Sequence, residues 1–332
     1  MVTLFASIFL TSSTFFKSRS QLLPFRTLSN VSLLAPSIEI AIVAARKRKE
    51  VIEHILLAGL GGLGKTHLLN AICDELGYYK AVTQGNRLTV AKVKDFLVES
   101  CELARQASKP AFIIIDEIHE MSDLAQDELF YPMDKGQILT LGEAMHLGPL
   151  CIAGATTDIQ ELNGKSLVDR FVHDWRLEEL EIDELMTIVG RFLLDEGMDG
   201  EWMAMQTLAE RSRGAPCLVL KYSRRARDYA QYSDRRLVTV LDVERMFAEL
   251  GIDSLGLDKN QRQYLTILYE SDKPVSKEAL ASMLGEMRPE QLTRVVEPYL
   301  WRQGFIASTS RGRSLTDKGF RHLAREEEVF SE

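Results

Sequence analysis

Apolar positions along the middle of the chain follow two rhythms. Three short runs, His54–Ala58, Ala111–Ile115 and Leu150–Gly154, are almost continuously apolar, as strands buried on both faces are. Between them the spacing is helical. Leu68, Leu69, Ile72 and Leu76 share one face and stop at Gly77; Val90, Val93, Phe96, Leu97, Cys101 and Ala104 share another. Strand, helix, helix, strand, strand predicts an α/β core with a mostly parallel sheet. After about Leu180 the strand rhythm ends. Residues 181–250 read as helices alone, carrying the basic cluster Arg211, Arg213, Lys221, Arg224, Arg225 and Arg227.

From Leu257 the pattern changes again. Tyr264, Leu265 and Leu268 mark one helix, Val275–Leu284 a second, and Pro289 opens a third with Leu292, Val295, Val296, Tyr299 and Leu300. Ala307–Leu315 is polar and strand-like around a turn at Arg311-Gly312, so the segment predicts a winged helix. Its aromatics Tyr264, Tyr299, Trp301 and Phe305 suit a core better than a base-stacking platform. The expected division is an N-terminal extension over 1–24, an α/β core over 25–180, a helical lid over 181–253, a winged helix over 254–325 and an acidic tail over 326–332.

Composition narrows the classes. At 332 residues, 45% hydrophobic and 27% charged, the chain can bury its cores without covalent staples. A net charge of −8 excludes a uniformly basic nucleic-acid coat and leaves room for a local patch. Residues 302–325 hold six basic residues, Arg302, Arg311, Arg313, Lys318, Arg321 and Arg325, against Asp317 alone, a balance of +5 that leaves −13 elsewhere. Arg311 and Arg313, at the hairpin tip, are the candidate DNA contacts, made to phosphates with little sequence preference. Cys73, Cys101, Cys151 and Cys217 form no CxxC pair, which suits reduced thiols in the cytoplasm. No apolar run is long enough to span a membrane. Residues 1–38 contain no acid and many Ser and Thr. A frayed or mis-started terminus fits that stretch better than a targeting segment.

The chemistry starts at the first strand. Gly59-Leu60-Gly61-Gly62-Leu63-Gly64-Lys65-Thr66 is a complete phosphate loop between strand and helix. The glycines let backbone N–H groups curl around phosphate oxygens, and the following helix aims its positive end at them. Lys65 can reach the β- and γ-phosphates, and the Thr66 hydroxyl can ligate Mg²⁺. Asp116 and Glu117 close the apolar run 111–115 at the sheet's carboxyl end, where such sheets bind ligands. Asp116 is read as holding Mg²⁺ and Glu117 as the base that polarises water. Thr156 and Thr157 end the third strand. A hydroxyl there can position that water, although strand-end threonines are as often structural. Arg170 is the candidate trans-acting finger. His119, with no second histidine at helical spacing, reads as a satisfied helix-start residue rather than a ligand.

The order of these motifs resembles the AAA+ ATPases, and within them the RuvB family of Holliday-junction branch-migration motors. The resemblance runs over roughly 54–323. It is carried by Gly-Leu-Gly-Lys-Thr at 62–66, Asp-Glu-Ile-His at 116–119, Gly-Ala-Thr-Thr at 154–157, Asp-Arg-Phe at 169–171 and Arg-Gly-Ala-Pro at 213–216. Glu-Pro-Tyr-Leu at 297–300 and Arg-Gly-Arg at 311–313 continue it. It implies an AAA+ P-loop core, an all-α lid and a C-terminal winged helix. ATP and Mg²⁺ would be cofactors. Thr156 or Thr157 would be the first sensor and Arg170 the finger. A hexameric ring would act on double-stranded DNA at four-way junctions in recombination and repair, with a junction-binding partner protein.

Three departures stand out. Cys217 occupies the place of the family's second-sensor arginine, Thr-Thr-Asp158 replaces Thr-Thr-Arg, and the 131–149 segment that holds the family's partner-contacting hairpin is shortened. The family's adenine-contacting segment is matched faintly, around Phe25–Leu33. Cys217 keeps a second reading open, a nucleotide-switched DNA-binding or loading module without translocation.

Overall fold

A computed structural model describes residues 34–330, apart from 141, 142, 163, 272 and 286. The expected extension over 1–24 and the segment Phe25–Leu33 lie outside the described residues. Contacts divide the chain into two compact units, residues up to 188 with 214–220, and 189–213 with 221–332.

The first unit is built on strands β1 (Ile55–Ala58), β2 (Tyr79–Gln84), β3 (Ala111–Asp116), β6 (Leu150–Thr156) and β7 (His173–Arg176). All are parallel, in the order β2-β3-β6-β1-β7. Alternate residues of each central strand serve opposite faces. Ile55, Leu57, Phe112 and Ile114 meet helices α1 (Ala35–Arg48) and α2 (Lys65–Leu76). Leu56, Ile113, Ile115 and Ile152 meet α3 (Val90–Gln106) and the short helices α4 (Asp123–Asp127) and α5 (Phe130–Lys135). Burying each such Leu or Ile contributes roughly 1.5–3 kcal/mol. An antiparallel hairpin, β4 (Gln137–Thr140) with β5 (Glu143–His146), follows α5, and α6 (Gly164–Val168) precedes β7.

Three strands that the apolar runs predict are present. The apolar runs show neither the edge strands β2 and β7 nor the hairpin, which only the family resemblance implies over 131–149, because their faces are half exposed and carry no apolar run.

Helices α7 (Ile182–Asp195) and α9 (Pro216–Tyr232) begin in the first unit and end in the second. Just ahead of the two helices Leu180 N–H donates to the Gly214 carbonyl, and at the start of α9 Cys217 N–H donates to the Gly62 carbonyl of the core. In the second unit α8 (Trp202–Glu210) packs on α10 (Val240–Leu250). The helices-only expectation for 181–250 is corrected by a two-residue parallel pairing of β8 (Asp199–Gly200) with β9 (Leu237–Val238).

The winged helix follows, with α11 (Lys259–Tyr269), α12 (Lys277–Met283), then α13 (Pro289–Gln291), a π turn over Leu292–Val296 and α14 (Glu297–Arg302). The hairpin of β10 (Ile306–Thr309) and β11 (Gly312–Leu315) is the wing. Tyr264, Leu265, Leu292, Leu300 and Phe305 form its core, as expected of those aromatics. Val275 adds a third rung by exchanging two backbone hydrogen bonds with Arg313. Gly312 (φ 138°) has to be glycine, since a Cβ there would stand 2.2 Å from the Val275 carbonyl oxygen. Helix α15 (Asp317–Phe330) carries Glu326–Glu328, so up to 330 the expected acidic tail is helix. Helix-favouring Ala, Arg and Glu explain the extension.

Candidate functional site

The carboxyl ends of β1, β3 and β6 lie level, with Ala58 opposite Thr156 and Gln84 opposite Asp116. That register gathers the chemistry on one rim. The loop after β1 turns on Gly59 (φ 152°), Gly62 (φ 82°) and Gly64 (φ 85°), with Gly61 and Leu63 between them. A Cβ on Gly59 would stand 2.7 Å from the Leu177 carbonyl oxygen. Gly64 caps α2, so its free N–H groups face the loop's concavity.

Lys65 is 6% exposed and donates to the carbonyls of Gly59 (2.8 Å) and Leu60 (3.1 Å). Burial lowers its ammonium from the ordinary value, and Glu117 and Asp116 pull the other way. The Thr66 hydroxyl donates to Asp116 Oδ1 at 2.8 Å. One hydroxyl and one carboxylate at a phosphate loop are the hard oxygen donors that suit Mg²⁺, which keeps waters and phosphate oxygens in its remaining positions.

Glu117 leaves β3 with a left-handed backbone (φ 48°) and opens a 3-10 turn over Ile118–Glu120. The turn is clamped from the β2 side. A Cβ on Gly85 would stand 2.3 Å from the Glu117 carbonyl oxygen, so only glycine lets the two segments approach. The Glu117 carboxylate accepts from Thr157, N–H at 3.2 Å and hydroxyl at 2.9 Å.

The two threonines therefore separate. Thr157 is exposed and meets Glu117. Thr156 is fully buried; its hydroxyl donates to the Asp158 carbonyl and lies 3.1 Å from His119 Nδ1. Of the two threonines read as the first sensor, Thr157 meets Glu117, while the Thr156 hydroxyl is held by Asp158 and His119.

Arg170 is partly buried against its own subunit. Its Nη2 lies 3.0 Å from Asp134 Oδ2, its guanidinium covers the Phe130 ring at 4.2 Å, and it donates to the Ser166 carbonyl. Asp134 and Phe130 sit on α5, just before the hairpin, and Ser166 on α6. Cys217 is exposed and stands at the start of α9 against Gly62, where a Cβ added to the glycine would lie 3.4 Å from the Cys217 Cβ. Arg213 stacks on Tyr299 and donates to the Gly256 carbonyl.

The two arginines of the wing are placed differently. Arg311 is exposed at the tip. Arg313 turns inward and grips Glu297 with Nε (3.1 Å) and Nη2 (3.2 Å). Glu297 is 2% exposed and also accepts from Tyr264 (2.8 Å) and Trp301 (3.2 Å). A buried carboxylate requires such donors, and Arg313 supplies two of them. Sequence reasoning missed Gly85, Asp134 and Glu297. Gly85 and Asp134 carry no motif, Glu297 belongs to the Glu-Pro-Tyr-Leu run with no role assigned to it from sequence, and each matters through a partner distant in the chain.

The fold and this rim define a P-loop ATPase of the AAA+ class. Three family models match in succession: the Holliday junction DNA helicase RuvB P-loop domain over 27–177, the RuvB AAA lid domain over 180–253 and the RuvB C-terminal winged helix domain over 254–324. The chain belongs to the RuvB family. It is 34% identical over 294 residues to the Holliday junction branch migration complex subunit RuvB of Thermosipho melanesiensis, covering 86% of this chain and 91% of that one. The Thermotoga maritima RuvB Holliday junction branch migration motor superposes with a TM-score of 0.75 at 30% identity, over 88% of this chain and 94% of that one. A mutant of the same Thermotoga maritima protein gives 0.77 at 31%, with the same coverage.

Proposed function

We propose that this chain is an ATP-driven motor that migrates four-way DNA junctions in recombination and repair. The observation that carries the reading is the rim itself, Lys65, Thr66, Asp116, Glu117 and Thr157 at one end of the sheet, in a chain matched along its length by the three RuvB domains. ATP would sit in the loop of Gly59–Gly64, with Lys65 turning from its carbonyl partners to the β- and γ-phosphates. Thr66 and Asp116 would hold Mg²⁺, which when bound neutralises charge on the transferring phosphoryl group. Glu117 takes the proton of the attacking water, and Thr157 aligns that water against the γ-phosphate. Arg170 of a neighbouring copy steadies the developing charge.

The working form is a hexameric ring on double-stranded DNA, with the core to about 180, the lid over 181–253 and the winged helix over 254–325. The hairpin exposes Leu139 and Met145, a surface that suits a junction-binding partner protein. No helix among the described residues is long and apolar enough to cross a membrane, and four free cysteines fit the reducing cytoplasm.

One observation favours a second reading, a nucleotide-switched DNA-loading module. Cys217 brings a thiol to the phosphate loop where the family likeness implies an arginine, and a thiol supplies no guanidinium charge. Steady-state ATP hydrolysis with and without a synthetic four-way junction separates the two, with Glu117→Gln as the blank. Junction-stimulated turnover is expected. ATP-dependent DNA binding with no turnover above the blank would replace the motor by the switch.

A further inference from the structure

His119 lies in the 3-10 turn that Glu117 opens, with its side chain only 11% exposed. Its Nδ1 stands 3.1 Å from Thr156 Oγ1 and 3.3 Å from Glu117 Oε2, while Nε2 faces Glu161 at 3.8 Å. The tautomer follows from the threonine. The Thr156 hydroxyl proton is committed to the Asp158 carbonyl at 2.9 Å, and its oxygen accepts the Asp158 N–H at 3.1 Å. A hydroxyl has one proton, so the hydrogen between Thr156 and His119 belongs to Nδ1.

That N–H is given to Thr156 Oγ1, and the same nitrogen lies 3.3 Å from Glu117 Oε2. Thr157 brings two donors to the same Oε2. Two hydrogen bonds thus converge on one carboxylate oxygen with the His119 ring nitrogen in electrostatic contact beside them, and Oε1 meets no hydrogen-bond donor among the described residues. We infer that His119 is a positioning residue. It fixes the rotamer of Glu117 so that Oε1 faces the water, and it ties the carboxylate to the end of β6, where Thr157 stands. The inference rests on the reading of Glu117 as the base. It gives the Asp-Glu-Ile-His run a reason for its fourth member. The Glu117 backbone, clamped by Gly85, needs a side-chain tether on its other side.

Two substitutions test it. His119→Leu removes the donor, and His119→Asn offers an amide N–H near the place of Nδ1–H. The measurements are kcat and KM for ATP, affinity for a fluorescent ATP analogue, and the thermal midpoint. His119→Leu should lose about 10²-fold in kcat, the scale of a misplaced reacting group, with KM and nucleotide affinity within about twofold. His119→Asn should recover most of that loss. In a Glu117→Gln background, His119→Leu should cost nothing further, since both act through one carboxylate.

Retained turnover in Glu117→Gln would end the base reading, whatever the histidine does. If Glu117→Gln is inactive while His119→Leu turns over normally, or lowers the residual rate of Glu117→Gln further, the positioning role fails and the base stands. Should His119→Leu not fold, the ring ¹⁵N signals of His119 in the unsubstituted protein decide. A proton on Nδ1 is expected, and a neutral ring protonated on Nε2 would overturn the proposal, because it could not donate to Thr156 or Glu117.

Discussion

Arg311 and Arg313 stand two positions apart and do different work. Arg313 fills the charge of a carboxylate that has almost no access to water, so Arg313→Ala should destabilise the winged helix by about 3–5 kcal/mol, the usual effect of leaving a buried partner charge alone. Chemical denaturation measures it, and a loss under about 1 kcal/mol would mean that the pair is effectively solvated. Arg311→Ala should leave stability unchanged and weaken duplex binding at ~100 mM salt, as loss of one phosphate contact does. The pair also marks a limit of reading residues in order. Nothing local separates two arginines flanking a glycine. The distinction comes from Glu297, brought beneath the wing by α14. The phosphate loop, by contrast, was legible in full, because its chemistry is written in consecutive residues. That Thr157 rather than Thr156 meets Glu117 needed only the direction of one side chain, which a strand end does not disclose.

Elements were legible in proportion to how completely they are buried. β1 and β6 are buried at every position and β3 at all but its last, so each reads as an apolar run. β2 alternates between half-buried and exposed positions, and its Tyr-Lys-Ala-Val-Thr-Gln carries no such run. The lid helix α10 shows a local signal of another kind. Thr239 and Asp242 form a capping box, and Arg235 holds the same carboxylate at 2.6 Å. Chiefly through that arginine, the Asp242 carboxyl is drawn from its ordinary 3.8 to about 2. A depressed carboxylate contributes stability above its unfolded value and loses it on acidification. The cap should therefore be fully effective above about pH 4 and fail as the pH falls toward 2. Denaturation series in that window should show less pH dependence for Asp242→Asn. An unchanged slope in that variant would remove the cap from the account.

At the scale of the whole molecule, charge is unevenly shared. The chain carries −8 in total, yet +5 falls on residues 302–325. Duplex affinity should therefore fall steeply as salt rises, and Arg311→Ala should reduce the magnitude of the log–log slope by about one. A slope near zero in the unsubstituted protein would point to a protein-binding winged helix. The division into core, lid and winged helix was legible because each segment repeats its own spacing. The grouping of 182–188 and 214–220 with the core was not, since it rests on contacts between segments distant in the chain, which local spacing does not carry. The buried Glu297 has one more consequence. Four donors from α11, α14 and β11 converge on it, so the wing is bolted to the helices rather than hinged to them. In mechanical language its compliance is low. A stroke delivered through a soft grip is absorbed in bending, whereas one delivered through a stiff grip becomes displacement of whatever is held.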